Sequence, residues 1–332
     1  MNHDEQYVKI ERKLRLGRVL GEGGMGQVYE GFEGGLGAHA AVKILRKELL
    51  DDQQVCARFD GEARIMASID HPGCLPVFGW GTDAEGRPFY AMKQVCGTTL
   101  AELLAERGGE RNSLVWRRRL LRVFQSICET MAYVHEHGIV HRDLKPENVM
   151  IDAFGAVYVI DWGIAKRHGS DGSTTVGSRT LVGAVMGSPG YMAPEQADGK
   201  SDKAGPEADV FALGVILYEI LTGDTPFQGD TERESMAHTV NRDPEDPRRK
   251  NLLISRSLSA VCMKAVQKEP KRRYRNASQL AEDIVAFNEG RPVGVRKPSL
   301  VERASFYARR EPVRAALTWA LCLAVLAVLA VI

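Results

Sequence analysis

The chain has 332 residues, 44% hydrophobic and 26% charged, with 44 Lys+Arg against 43 Asp+Glu and a formal net charge of +1. That balance excludes a disordered, collagen-like or small disulfide-stapled protein, and a near-neutral total gives no global case for nucleic-acid binding. The length permits one large domain or two lobes with a sizeable core. In chain order, short strands separated by glycine turns are predicted over 14–20, 27–32, 39–45, 75–79 and 89–95, with one helix at about 52–69. From residue 98 onward helical patterns dominate, among them 114–137, 209–221 and 278–289, with a further strand at 156–160. Strands first and helices later argue for the two lobes of an α+β enzyme, with 14–95 and 98–290 as the lobes and 1–13 as an extension.

Six cysteines (Cys56, Cys74, Cys96, Cys128, Cys262 and Cys322) lie far apart without a C-x-x-C pair. They read as buried, reduced packing residues. Arg117, Arg118, Arg119 and Arg122 read as a solvated helix face rather than a nucleic-acid surface.

The segment 291–314 carries seven basic side chains (Arg291, Arg296, Lys297, Arg303, Arg309, Arg310 and Arg314) against Glu302 and Glu311. The run 315–332 that follows has no charge and only Thr318 as a conventional polar residue. It is long enough for a transmembrane helix and lacks the polar stripe of an ordinary core helix. Positive charge before it keeps that side in the cytoplasm, and Trp319 fits an interfacial anchor. The expectation is a single-pass membrane protein with a cytoplasmic domain and a basic juxtamembrane segment. No signal peptide is expected, because Lys9, Arg12, Lys13, Arg15 and Arg18 break the first apolar-rich stretch. The chain stops inside the apolar run, which suggests a tail anchor or a piece of a longer receptor.

Chemistry is first signalled at Gly21, Gly23 and Gly26, a G-x-G-x-x-G spacing that lets backbone N–H groups approach phosphate oxygens. A dinucleotide fold would open a helix directly after these glycines, whereas Val28, Tyr29 and Phe32 continue a strand, so the glycines belong to a β-hairpin. Lys43 ends the next alternating strand. On the following helix Phe59, Glu62, Met66 and Ile69 share one face, and an acid on an inward stripe needs a partner. Lys43 is the natural one, and the pair would hold a lysine over nucleotide phosphates. The densest cluster is His141-Arg142-Asp143-Leu144-Lys145-Pro146-Glu147-Asn148, followed by Asp161-Trp162-Gly163. Phosphoryl transfer needs one carboxylate to orient a hydroxyl, which suits Asp143, and oxygen ligands for Mg²⁺, which suit Asn148 and Asp161.

In order and spacing these motifs, with Ala193-Pro194-Glu195, make residues 14 to about 290 resemble a bacterial serine/threonine protein kinase domain of the eukaryotic (Hanks) type. The resemblance implies a bilobal fold with ATP in the cleft. Lys43 would contact the α- and β-phosphates, Asp143 would be the catalytic base and Lys145 would support the transferring phosphate, as in serine/threonine-specific members. Leu20 and the glycines would cover the nucleotide, Val28, Ala41 and Met150 would sandwich adenine, Met92 would be the gatekeeper, and the backbone of Lys93 to Val95 would meet the adenine edge. Ser188 would stand for the threonine that bonds the catalytic Asp and Lys, Asp209 would brace the backbone near Arg142, and Glu195 would pair with Arg273. Trp162 replaces the usual phenylalanine and would stack with Met66, Val77 and His141, and Lys93 replaces an acid common at that position.

An arginine beside the catalytic aspartate resembles kinases switched on by phosphorylation of a loop. Here that loop holds Ser170, Ser173, Thr174, Thr175, Ser178 and Thr180, with Thr180 the first choice and Thr174 and Thr175 next. Protein substrates, a homodimer for phosphorylation in trans and no nucleic acid are the implied partners. The competing expectations are an ATP-binding scaffold without turnover, disfavoured because Lys43, Asp143 and Asp161 are all present, and a small-molecule phosphotransferase.

Overall fold

The computed structural model describes residues 14–33, 37–106, 113–163, 165–167, 188–198, 204–297 and 299. The first stretch gives β1 (Leu14–Glu22), β2 (Gly26–Glu33), β3 (Ala38–Leu45), α1 (Gln53–Ala67), β4 (Val77–Thr82), β5 (Pro88–Lys93) and β6 (Gly97–Thr99). Next come α2 (Leu100–Ala105), α3 (Leu114–Glu136), β7 (Ile139–Val140), β8 (Val149–Asp152), β9 (Val157–Val159) and β10 (Lys166–Arg167). The rest is helical: α4 (Pro194–Ala197), α5 (Pro206–Thr222), α6 (Glu232–Asn241), α7 (Pro247–Lys250), α8 (Arg256–Ala265) and α9 (Ala277–Asn288). The described residues form two compact units, one from those within 1–100 and 147–184 and the other from those within 101–146 and 185–332.

The first unit is built on an antiparallel sheet in the order β1-β2-β3-β5-β4. Alternation along β3 sends Ala40, Val42 and Ile44 to one face, where they pack with Ala91, and leaves Ala41 and Lys43 on the other. Register then sets Lys43 opposite Val28 on one side and Tyr90 on the other. Close approach of β2 to β3 depends on Gly26, where a Cβ would lie 2.6 Å from the Ile44 carbonyl oxygen. Helix α1 starts where the Asp52 carboxylate accepts hydrogen bonds from the N–H groups of Gln54 and Val55, and it buries Val55, Phe59, Glu62, Ala63 and Met66. A small second sheet, β6-β8-β9, pairs Thr99 with Met150 and Met150 with Tyr158.

The second unit is organised by α5. Pro206 occupies its first turn, where the missing N–H is no loss, and Gly223 ends it at φ 94°, a left-handed cap. Apolar residues surround its axis and are buried on every side, with Phe211 stacked on Phe227 at 5.7 Å.

The expected helices are present with ends shifted by up to three residues, and α5 begins at Pro206 rather than 209. Strands β6, β7 and β8, at two to four residues each, lie in a stretch read as mainly helical, because such short segments show no period. Two cysteines depart from expectation: Cys96 is exposed and Cys56 half-buried, while Cys74, Cys128 and Cys262 are buried. Cys96 stands between β5 and β6, outside any packed face, whereas burial pushes the Cys74 thiol up to about 12. No helix among the described residues is long and apolar enough to cross a membrane, and the 315–332 run and Cys322 lie outside them.

Candidate active site

In the first unit the β1–β2 turn is closed by the Gly23 N–H donating to the Gly26 carbonyl at 2.9 Å. A Cβ on Gly21 would meet nothing within 4 Å, and on Gly23 only the Gly26 carbonyl oxygen at 3.7 Å. Packing therefore does not demand these two glycines, and the open backbone above them is free to take phosphate oxygens.

Below this turn Lys43 Nζ donates to both Glu62 oxygens, at 2.7 and 2.9 Å, and lies 3.8 Å from Asp161 Oδ1. Burial alone would lower the Lys43 pKa, but attraction to Glu62 and Asp161 outweighs it and raises the value above 10.5. Tyr90 Oη donates to Glu62 Oε1 at 2.8 Å, so a carboxylate only 2% exposed has both its oxygens satisfied. Burial and the acceptor beside it push the Tyr90 hydroxyl well up.

Asp161 adopts φ 63°, one of two non-glycine residues with positive φ among those described. The Ile160 N–H donates to the Asn148 carbonyl at 2.9 Å, which ties the strand end before Asp161 to Asn148. A carboxylate and a carboxamide are hard oxygen donors of the kind Mg²⁺ takes. Among the described residues no cluster of three or more His, Cys, Asp or Glu side chains could hold a metal alone. The donor set thus fits an ion that draws its remaining ligands from phosphate and water.

Of the expected adenine contacts, Ala41 pairs with Met92 across β3 and β5, Val28 stands opposite Lys43, and Met150 opposite Thr99. Ala41 is buried, Val28, Met92, Val95 and Met150 are half-buried, and Leu20 is exposed. Lys93 Nζ donates to Tyr158 Oη at 2.6 Å and lies 4.6 Å from the centre of its ring, so the basic substitution is absorbed by β9. Trp162 is buried, and its indole N–H donates to the Val159 carbonyl at 3.3 Å, an anchor phenylalanine lacks.

In the second unit Asp143, Lys145 and Ser188 form a closed triangle. Lys145 Nζ donates to Ser188 Oγ at 2.7 Å, and Ser188 donates through both its N–H and its Oγ to Asp143 Oδ1, at 2.9 and 3.0 Å. Lys145 Nζ also lies 3.7 Å from Asp143 Oδ2. The loop beneath is pinned by Asp209, which accepts from the N–H groups of His141 and Arg142, both at 2.8 Å, and bonds His135 Nε2 at 2.9 Å. Burial works to raise the Asp209 pKa, but its bond to His135, the nearby His141 and the Arg142 N–H hold it below 3.8. With those bonds in place Arg142 sits at φ 71°. Glu195 and Arg273 form a two-armed pair at 2.7 Å on each arm, and Arg273 also donates to the carbonyls of Glu207, Gln267 and Lys268.

Sequence reasoning missed three residues that position these groups: Tyr90, His135 and Gln196, whose amide donates to the Arg142 carbonyl at 2.9 Å. Tyr90 had a signal, since it falls on the same strand face as Met92. His135 and Gln196 had none. Thr174, Thr175 and Thr180 lie outside the described residues.

A strand-borne lysine paired to a helix glutamate in one unit, and an aspartate–lysine–serine triangle on a braced loop in the other, define the phosphotransferase class that the sequence resembles. The protein kinase domain model matches residues 14–285, and the chain belongs to that family. It is 36% identical over 286 residues to the serine/threonine-protein kinase PknB of Mycobacterium tuberculosis, covering 85% of this chain and 44% of that protein. It is 37% identical over 293 residues to a probable serine/threonine-protein kinase of Streptomyces coelicolor, covering 87% and 42%. The serine/threonine-protein kinase PknD of Chlamydia caviae is 35% identical over 298 residues, covering 83% and 31%. The chain spans less than half the length of these relatives.

Proposed function

We propose that residues 14–290 transfer the γ-phosphate of ATP to serine or threonine hydroxyls of protein substrates. The observation that carries this reading is the Asp143–Lys145–Ser188 triangle: a carboxylate with one oxygen committed to Ser188 and the other turned toward an ammonium. Asp143 orients the incoming hydroxyl and takes its proton as the bond to phosphorus forms, while Lys145 offsets negative charge building on the transferred group. Lys43, kept charged by Glu62, binds the α- and β-phosphates, and the glycine turn supplies N–H donors to phosphate oxygens. Mg²⁺, held by Asn148 and Asp161, would neutralise phosphate charge. Leu20, Val28, Ala41, Met92, Val95 and Met150 offer the apolar surface that adenine takes.

The finer reading is a kinase tethered through 315–332 with its domain in the cytoplasm, which modifies Thr180 or its neighbours Thr174 and Thr175 in trans within a homodimer. Its support is the basic-then-apolar sequence after residue 290 and the arginine beside Asp143.

Phosphate incorporation by the wild type and by Asp143→Asn, with Mg²⁺ and ATP and the modified residues located by mass spectrometry, tests the kinase reading and the choice of Thr180, Thr174 or Thr175. The mutant should lose at least about 10²-fold in rate with no loss of melting temperature. If neither protein incorporates phosphate while ATP still protects the domain from heat, the scaffold reading replaces this one.

A further inference from the structure

Helix α3 opens with four arginines and no acid before Glu129, and residues 247–256 hold four more cations and no acid. The two segments touch: Arg117 Nη1 donates to the Leu253 carbonyl at 3.3 Å. Helical spacing places Val115, Arg118, Arg119 and Arg122 on one stripe, and all four are exposed. Beside them Val115, Leu252 and Leu253 are 76%, 80% and 68% exposed, among the largest values for apolar side chains in the described molecule. Scattered exposed apolar side chains need no explanation, but Val115, Leu252 and Leu253 beside Arg118, Arg119, Arg122 and Arg249 do; the acids nearest in this segment are engaged, Asp224 with Lys250 at 2.9 Å and Asp246 as the N-cap of α7.

We propose that this face of the second unit is a contact for an anionic lipid surface, with Val115, Leu252 and Leu253 entering the headgroup layer and Arg118, Arg119, Arg122 and Arg249 meeting lipid phosphates. Two observations favour lipid over other occupants. Charge is of one sign across both segments, which suits a broad anionic plane. The C-terminal segment also starts close by: Asn288, the last residue of α9, donates to Gln125 Oε1 at 2.8 Å, Gln125 lies one turn beyond Arg122 on α3, and the residues that follow stay on α9, with Val293 buried and the Gly294 N–H donating to Asp283. From there the sequence runs into the basic segment 291–314 and the apolar run 315–332. The inference goes beyond the proposed kinase activity and does not need 315–332 to cross a bilayer, since the face would bind lipid either way.

The test is hydrogen–deuterium exchange on the full chain with excess lipid nanodiscs, either pure phosphatidylcholine or containing a third phosphatidylglycerol. Amides of 114–122 and 251–256 should exchange roughly fivefold more slowly with the anionic discs, and the protection should fade in high salt. Both Arg118→Glu/Arg119→Glu/Arg122→Glu and Leu252→Ser/Leu253→Ser should lose it while still incorporating phosphate at the wild-type rate, which separates this proposal from the kinase reading. Equal exchange in the two disc types sinks the lipid contact. So does protection that arises without lipid and grows with protein concentration, which would assign the face to a second copy of this chain.

Discussion

The two clusters that carry the chemistry are held in different ways. In the first unit Lys43, Glu62 and Asp161 are joined by side-chain charges, and the helix supplying Glu62 meets the sheet along a single stripe. In the second, Asp143 rides on a loop whose own backbone N–H groups are bonded to Asp209, on a helix buried on all sides. A charge pair between an edge helix and a strand can be made or broken by a modest rotation of that helix. A backbone bonded to a buried carboxylate moves only if the surrounding core opens. The first cluster is therefore the adjustable one and the second the fixed reference.

The hardest way to break this contrast is Asp209→Ala. It strips His135 and two backbone N–H groups of their acceptor inside the core, so stability should fall by about 3–5 kcal/mol, read from urea unfolding, with activity lost alongside. Glu62→Gln should do the reverse: about 10²-fold less phosphate incorporation, from a misplaced Lys43, with a stability loss well below that of Asp209→Ala. Equal destabilisation by the two would erase the distinction.

A milder probe is Lys268, which lies 3.6 Å from the centre of the Phe227 ring and donates to the Thr239 carbonyl. Burial lowers its pKa to about 8, with Arg273 adding to the effect and Asp243 opposing it. The folded state releases this proton near 8 and the unfolded chain near the ordinary 10.5, so this residue adds stability as pH rises through that window. Urea midpoints at pH 7.5 and 9.5 should show the rise in the wild type and a smaller one in Lys268→Met. Smallest of all, Trp162→Phe removes one hydrogen bond and some volume, for a loss of about 1–2 kcal/mol and near-normal activity.

Much of this was legible in the sequence because the informative residues are either spaced by backbone geometry or costly to bury alone. Glu62 on an inward stripe demanded a cation, and Lys43 supplies it. Val210, Phe211, Leu213, Val215, Ile216, Leu217 and Ile220 leave α5 with apolar residues on every side, the pattern of a central buried helix. What stayed hidden were long-range partners: His135 reaches Asp209 across 74 residues, Gln196 reaches Arg142 across 54, and Lys93 reaches Tyr158 across 65. A histidine, glutamine or tyrosine in these places obeys no local period, so only the folded chain pairs them. The strands β6 and β8 escaped for a related reason, since three or four residues are too few to show alternation.

The Asp209 brace also sets an order in time. Arg142 leaves the ribosome 67 residues before the carboxylate that fixes its N–H, an interval of roughly 3–13 s at ordinary rates of synthesis. Throughout it the loop bearing Asp143 exists as chain without its support. A nascent chain that ends before α5 carries the signature residues of 141–148 without the Asp209 carboxylate that fixes the backbone of their loop.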